Sequence, residues 1–202
     1  MSRKAFTLAE ILITLTVIGV VAALTIPTLL QNTNQAELKT ALKREVADFS
    51  QAAIQITNDN GGSLVNIFNS HDDIANAFNA KLNTIKTCSG TSSPGNCFHD
   101  HYKWQYLNGI SASGWNYPGA ILTNGDLVMY RFDSKACTAG ANNYCGLILV
   151  DVNGFKKPNM VGKDIFTAWI KSGSIIPLEN TGASSCDTAN YGYGCSSLYL
   201  YQ

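Results

Sequence analysis

The first apolar segment of the chain is long enough to be a membrane helix. Eighteen of the 26 residues from position 5 to position 30 are Ala, Val, Ile, Leu or Phe. About 20 apolar residues in helical conformation cross the hydrocarbon core of a bilayer. Arg3 and Lys4 precede the segment, and the next basic residue is Lys39. The positive-inside rule therefore predicts a cytoplasmic N-terminus and a C-terminus on the outside.

A helical pattern continues beyond this apolar segment. Apolar residues recur at spacings of four and three, namely at Leu38, Leu42, Val46, Phe49, Ala53 and Ile56. The Asn- and Gly-rich segment 58–62 then predicts the end of the helix. We expect one long N-terminal helix with a membrane half and an amphipathic half.

A second, shorter helix is predicted over 72–85. Its apolar residues again follow spacings of four and three, and they are Ile74, Phe78, Leu82 and Ile85. Ser70 or Asp72 can cap its N-terminus. Near the C-terminus, the Gly-, Ser-, Asn- and Tyr-rich segment 179–197 indicates an ordered loop.

The remaining patterns are typical of β-strands. Two β-rich runs within 120–130 flank Asn124-Gly125, which is the strongest short signal of a β-hairpin. Residues 147–151 read as a buried strand, and residues 165–170 and 174–177 predict another hairpin. The fold class is therefore α+β, with helices followed by antiparallel strand pairs.

Composition narrows the function classes. The chain has 202 residues, of which 46% are hydrophobic and 14% charged, and this excludes intrinsic disorder. Fourteen basic side chains balance 14 acidic ones, which argues against a dedicated nucleic-acid binder. The sequence contains no nucleophile elbow, P-loop, zincin or dinucleotide-binding motif, so we do not expect an enzyme.

Glu10 does not fit a simple membrane anchor. A carboxylate inside an apolar membrane helix costs about 2.5–3.5 kcal/mol, and such residues usually have a function. The alternative of a secretory signal peptide, cleaved near residues 21–23, leaves Glu10 unexplained. A cationic partner is needed to make the position of this carboxylate favourable.

The residues around Glu10 point to a family. The segment 4–10, Lys-Ala-Phe-Thr-Leu-Ala-Glu, resembles the cleavage and methylation motif of type IV pilins and type II secretion pseudopilins. The resemblance implies that a prepilin peptidase cleaves between Ala5 and Phe6 and methylates the new Phe6 amine. It also implies that Glu10 pairs with the terminal amine of a neighbouring subunit during assembly. The family nearly always has Gly where this chain has Ala5, so we expect slower processing.

The resemblance also implies an organisation for the whole chain. It implies a pilin-like fold, in which the long N-terminal helix packs on the antiparallel sheet of the head. Gly19 and Pro27 occupy positions where these proteins often carry a helix-softening Gly and a kink-forming Pro. The expected parts are a leader peptide, residues 1–5, a transmembrane and filament-core helix, residues 6–30, and an extracytoplasmic globular pilin head, residues 31–202. The similarity in sequence is specific over residues 3–30 only.

The function implied by this family is structural. A processed subunit would polymerise with the same or other pilins into a type IV pilus or a type II secretion pseudopilus. Its partners would be prepilin peptidase and the inner-membrane assembly platform. It would lie as a single-pass protein in the cytoplasmic (inner) membrane, with its C-terminus outside, before joining an extracellular filament or periplasmic pseudopilus. The alternatives are a minor or tip pilin that binds a surface, DNA or a secreted substrate, and an anchored extracytoplasmic enzyme.

Six cysteines form three close pairs in the sequence. Fifteen pairings are formally open, and short turn-forming loops favour the local ones, Cys88–Cys97, Cys137–Cys145 and Cys186–Cys195. Disulfides would place the head in an oxidising compartment. A zinc site is the weaker alternative because no C-x2-C spacing occurs.

No cofactor is predicted, although two segments contain metal-ligating residue types. Asp151, Asn153 and Asp164 carry side-chain oxygens near tight turns, as a Ca²⁺ site requires. Major pseudopilins carry a calcium loop in a similar position, but two ordinary turns are the preferred interpretation. His99 and His101 have the spacing of a metal pair, and a solvated polar loop is preferred there as well.

Overall fold

The longest element is the helix α1, Leu8–Asp59, which follows both sequence patterns without a break. The structure is a computed structural model and describes residues 7–201. The chain divides into two compact units, one up to Glu37 and one from Leu38 onward, so α1 contributes to both. Its end has the expected cause, because Gly61 and Gly62 both adopt positive φ and the amide of Gly62 donates to the carbonyl of Thr57 at 2.8 Å.

The second unit is built on a six-stranded antiparallel sheet. Its strands are hydrogen-bonded in the order in which they occur in the chain. The strands are β1 Thr84–Cys88, β2 Gly119–Leu122, β3 Leu127–Phe132, β4 Gly146–Asp151, β5 Ile165–Ile170 and β6 Ile175–Pro177. Two short helices complete it, α2 His71–Asn79 and α3 Cys195–Tyr201, together with single 3₁₀ turns at Gly90–Ser92 and Gly182–Ser184. The predicted α+β class is confirmed.

The two predicted hairpins are present. Strands β2 and β3 pair around Asn124 and Gly125, and Gly125 takes the positive φ that the turn requires. The amide of Leu122 donates to the carbonyl of Asp126 at 2.9 Å and closes the turn. Strands β5 and β6 form the second hairpin. The predicted strand at 147–151 lies in β4, and all six residues of β4 are buried.

The predicted helix over 72–85 is wrong in its last six residues, 80–85. Helix α2 ends at Asn79, and the amide of Leu82 still donates to the carbonyl of Phe78 as the chain turns away. Ile85 instead lies exposed in β1, which pairs with β2. Backbone groups of β2 hydrogen-bond to this segment, and the spacing of apolar residues in the sequence does not indicate such a partner. The C-terminal segment also contains a helix, α3, which composition did not indicate.

Apolar residues cover both faces of the sheet. On one face, the half of α1 that belongs to this unit packs with α2, and the Phe49 ring lies 6.5 Å from that of Tyr130 and 6.3 Å from that of Phe78. On the other face, the loops between the strands place Phe98 and Trp104 over the sheet. Alternate residues of β3 and β4 point into each of these two clusters. Both central strands are therefore buried on two sides.

We expect Phe49→Ala to lower the free energy of unfolding of the second unit by about 3–5 kcal/mol, because the ring is 1% exposed and its removal leaves a cavity in the core. Ile54→Ala on the same helix is the control. That side chain is 54% exposed, and its truncation should change the free energy by about 0.5 kcal/mol or less. Denaturant titration of the full chain in neutral detergent measures both. Equal losses would contradict the assignment of this helix face to the core.

Candidate functional site

The N-terminal part of α1 presents an apolar surface on all sides. Over Leu8–Pro27, 20 residues, the mean hydropathy reaches 2.3, and the large apolar side chains along this stretch are exposed. By length and composition this is a helix that could cross a membrane. A helix that is apolar all round needs lipid or other protein around it.

Glu10 is the single charged residue within this stretch, and it belongs to a capping box. One of its carboxylate oxygens accepts from both the backbone amide and the hydroxyl of Thr7, each at 2.8 Å. The amide of Glu10 donates in return to the Thr7 hydroxyl at 3.3 Å. Two of the free donors at the start of the helix are thereby satisfied. The carboxylate is held at a fixed place near the N-terminal end.

The hydroxyl groups within Leu8–Pro27 donate to the backbone of the helix itself. Thr14, Thr16 and Thr25 donate to the carbonyls of residues 11, 12 and 21 at 2.9, 2.7 and 2.9 Å. Such bonds satisfy a hydroxyl group without water. The polar residues other than Glu10 are therefore compatible with an apolar environment.

The structure describes Gly19 and Pro27 but not the predicted cleavage site. Ala5 and Phe6, the predicted cleavage site, lie outside the described residues. Gly19 is helical, and no described atom lies within 4 Å of the place where its Cβ would be. Pro27 lies inside α1, where it removes one backbone hydrogen bond of the helix.

The six cysteines form three disulfides. Each joins neighbours in the sequence, with separations of nine, eight and nine residues, in the pairs Cys88–Cys97, Cys137–Cys145 and Cys186–Cys195. Within the described part of the chain no cysteine is free. Each bond closes a short loop at the margin of the sheet or in the C-terminal segment.

The structure brings Asp151, Asn153 and Asp164 together, but their carboxylates serve the loop itself. Asp164 accepts the amides of Asn159 and Met160, both at 2.7 Å, and the side-chain amide of Asn153 at 3.3 Å. Asp151 accepts the amide of Asn153 at 3.0 Å. Among residues 7–201, no group of three or more His, Cys, Asp or Glu is arranged to hold a metal ion.

His99 belongs to this cluster, which sequence reasoning missed. Its Nε2 lies 2.7 Å from Oδ2 of Asp151, and both side chains are buried. Burial raises the pKa of Asp151 to about 7, and the hydrogen bond to His99 acts in the opposite direction. The interpretation of residues 99–101 as a solvated loop is wrong for His99. Its partner lies 52 residues away, so spacing along the chain carried no signal.

A second buried carboxylate cluster lies where α1 meets the β2–β3 turn. Arg44 contacts Glu45 at 3.1 Å and Asp126 at 2.7 Å, and Asn124 donates to Glu45 at 2.8 Å. The other oxygen of Glu45 has no hydrogen-bond partner among residues 7–201. Burial, followed by the neighbouring Asp126, raises the pKa of Glu45 to about 7. One guanidinium thus faces two buried carboxylates.

Comparison with known proteins adds no relative: no protein-family model, curated protein or solved structure matches the chain. The functional argument therefore rests on the residues themselves. The apolar helix with Glu10 can associate with lipid or with other helices. The two carboxylate clusters hold loops and α1 in place.

The raised pKa of Glu45 predicts that stability depends on pH. The folded state binds this proton more tightly than the unfolded state, so its stabilising contribution is complete below about pH 4.5 and is lost as the pH rises through about 7. Glu45→Gln stays neutral. The free energy of unfolding of this variant minus that of the original protein should therefore increase by up to about 3 kcal/mol as the pH rises from about 4.5 to about 7.

Urea titrations of the full chain in neutral detergent at a series of pH values measure this difference. Asp48→Asn on the same helix is the control, since it replaces an exposed carboxylate by the same amide change. A Glu45→Gln difference that varies no more with pH than that of the control would contradict the prediction.

Proposed function

We propose that the chain is a pilin-like structural subunit, inserted in a membrane by α1, processed at Phe6 and polymerised through that helix into a type IV pilus or type II secretion pseudopilus. The observation that carries the proposal is the single carboxylate, Glu10, placed near the start of a 20-residue apolar stretch. The similarity of residues 4–10 to the prepilin motif gives this carboxylate its role.

The energetics of the helix favour this function over a simple anchor. A lipid-embedded Glu10 is unfavourable unless a cation approaches it. Cleavage before Phe6 would create such a cation, the terminal amine, on every subunit. Pairing of that amine with Glu10 of a neighbouring subunit neutralises both charges and sets the stagger between adjacent helices. The exposed apolar side chains of α1 then pack against one another instead of lipid.

The contacts of Thr7 are compatible with such pairing. Thr7 occupies one oxygen of the Glu10 carboxylate with two hydrogen bonds, and a carboxylate has about four acceptor sites in all. The capping box orients the group while leaving acceptor capacity for an amine from another chain. Glu10 can therefore serve helix capping and subunit pairing at once.

The disulfides of the head are compatible with an extracytoplasmic location. Three disulfides within residues 88–195 are typical of an oxidising compartment. Arg3 and Lys4 on the other side of the apolar stretch orient the helix with its N-terminus in the cytoplasm. In this proposal the head is displayed on the filament surface.

Glu10→Val should leave membrane insertion intact and remove the subunit from filaments, because the apolar length is kept and the charge pairing is lost. Glu37→Val on the same helix is the matched control and should assemble. Alkaline extraction of membranes measures insertion, and the subunit content of sheared filaments measures assembly. Normal stoichiometry of the Glu10 variant in filaments would refute the assembly role.

Mass spectrometry of the membrane fraction should find a mature chain that begins with N-methylated Phe6. Ala5→Gly should speed the appearance of this product in a pulse–chase experiment, since glycine is the usual residue before the cut in prepilins. Phe6 must remain the first residue in both chains. A mature chain starting at any other residue would exclude this processing.

A further inference from the structure

The basic side chains that follow α1 fall into two groups. Nine Lys and Arg residues follow α1. Five of them donate hydrogen bonds within the chain, namely Lys81, Lys86, Arg131, Lys135 and Lys171. The side-chain ammonium groups of the other four, Lys103, Lys156, Lys157 and Lys163, have no hydrogen-bond or ion-pair partner among residues 7–201. All four are exposed.

These four lysines come from two loops that the fold joins. The amide of Gln105 donates to the carbonyl of Asn159 at 3.0 Å, and the amide of Val161 donates back to the carbonyl of Gln105 at 2.9 Å. Further along, the Phe155 ring meets the His99 ring edge to face at 5.5 Å. Loop 98–105 and loop 152–164 are therefore in direct contact, although about 50 residues separate them in the sequence.

Few carboxylates compensate this charge. Asp151 and Asp164 lie beneath the surface, buried and occupied by the hydrogen bonds that hold the loops. Asp100 is exposed, and one of its oxygens accepts the amide of His101 at 2.8 Å. The two loops thus carry four free ammonium groups and one exposed carboxylate, in a chain whose net charge is zero.

Two aromatic side chains stand among the lysines. Tyr102 is 71% exposed and Phe155 is 51% exposed. They immediately precede Lys103 and Lys156 in the sequence. Neither belongs to the two buried clusters of the core, and about half of Phe155 stays exposed beyond its contact with His99. Exposed aromatic surface therefore lies next to free positive charges in the sequence.

We propose that this lysine surface, formed by Tyr102, Lys103, Phe155, Lys156, Lys157 and Lys163, binds single-stranded nucleic acid. The ammonium groups neutralise successive phosphates, and the two rings stack on unpaired bases. This combination of cations and aromatic faces suits a single strand without sequence preference. A duplex keeps its bases stacked on each other and can use the lysines alone. The proposal is independent of filament assembly through Glu10.

Fluorescence anisotropy of a fluorescein-labelled oligothymidine tests the proposal, with the full chain in neutral detergent at several salt concentrations. Replacing the four lysines of the surface by Ala should weaken binding by tenfold or more. It should also reduce the magnitude of the negative slope of log K against log salt by about three, since each phosphate contact on a single strand contributes about −0.7. The matched control replaces Lys81, Lys86, Lys135 and Lys171 by Ala, and it should bind nearly as well as the original protein.

A second variant tests the rings separately from the charge. Tyr102→Asn combined with Phe155→Ala should weaken binding by about tenfold or more and leave the salt slope unchanged. Asn is chosen because Tyr102 has a φ of 64°, a conformation that Asn tolerates. Glu10→Val should bind like the original protein. Matching circular dichroism spectra establish that all the variants are folded.

Several outcomes would overturn the proposal. The simplest such outcome is that the protein does not bind the oligothymidine. Equal weakening by the two sets of lysine substitutions would show a diffuse charge effect in place of a site. Tighter binding to a duplex of the same length, to heparin or to vesicles containing phosphatidylglycerol would assign the surface to a different anionic partner.

Discussion

The folding of the second unit, from Leu38 onward, requires that both apolar faces of its sheet are covered by other parts of the chain. Strands β3 and β4 alternate between the two buried clusters, so neither face can meet water. The amphipathic half of α1 covers one face through Phe49 and its neighbours, and the strand connections cover the other through Phe98 and Trp104. This requirement explains why α1 continues past its apolar stretch and why long connections fold back over the sheet. The buried carboxylates lie where α1 and the strand connections contact the sheet. Their pKa values are raised because these contacts exclude water.

Prediction from sequence succeeded where the determining interactions are local. The end of α1, the hairpin at Asn124-Gly125 and the buried run of β4 all follow from neighbours a few residues apart. It failed where a distant partner decides the outcome. Ile85 continues the helical spacing, but backbone hydrogen bonds between its segment and the edge of β2 place it in a strand. His99 was assigned to solvent because Asp151 lies far along the chain, and the Glu45 cluster was missed for the same reason.

The candidate sites show the same division. Glu10 could be singled out from sequence because a carboxylate in an apolar run is conspicuous without any structure. The lysine surface could not, because the zero net charge of the whole chain concealed it. Only the fold reveals that loop 98–105 and loop 152–164 meet, that Asp151 and Asp164 are buried beneath them, and that the other lysines after α1 already have partners. Net charge is thus a poor guide to local potential when acids are buried and bases are exposed.

The order of the strands also has a consequence for how the head acquires its structure. Every strand pairs with the strand made just before it, and every disulfide closes a loop of at most nine residues' separation. A chain that emerges from a ribosome or a translocation channel, N-terminus first, can therefore add one strand at a time without waiting for distant segments. Each cysteine meets its partner almost as soon as both are free of the channel. Vectorial folding of this kind limits the time during which unpaired strand edges are open to aggregation.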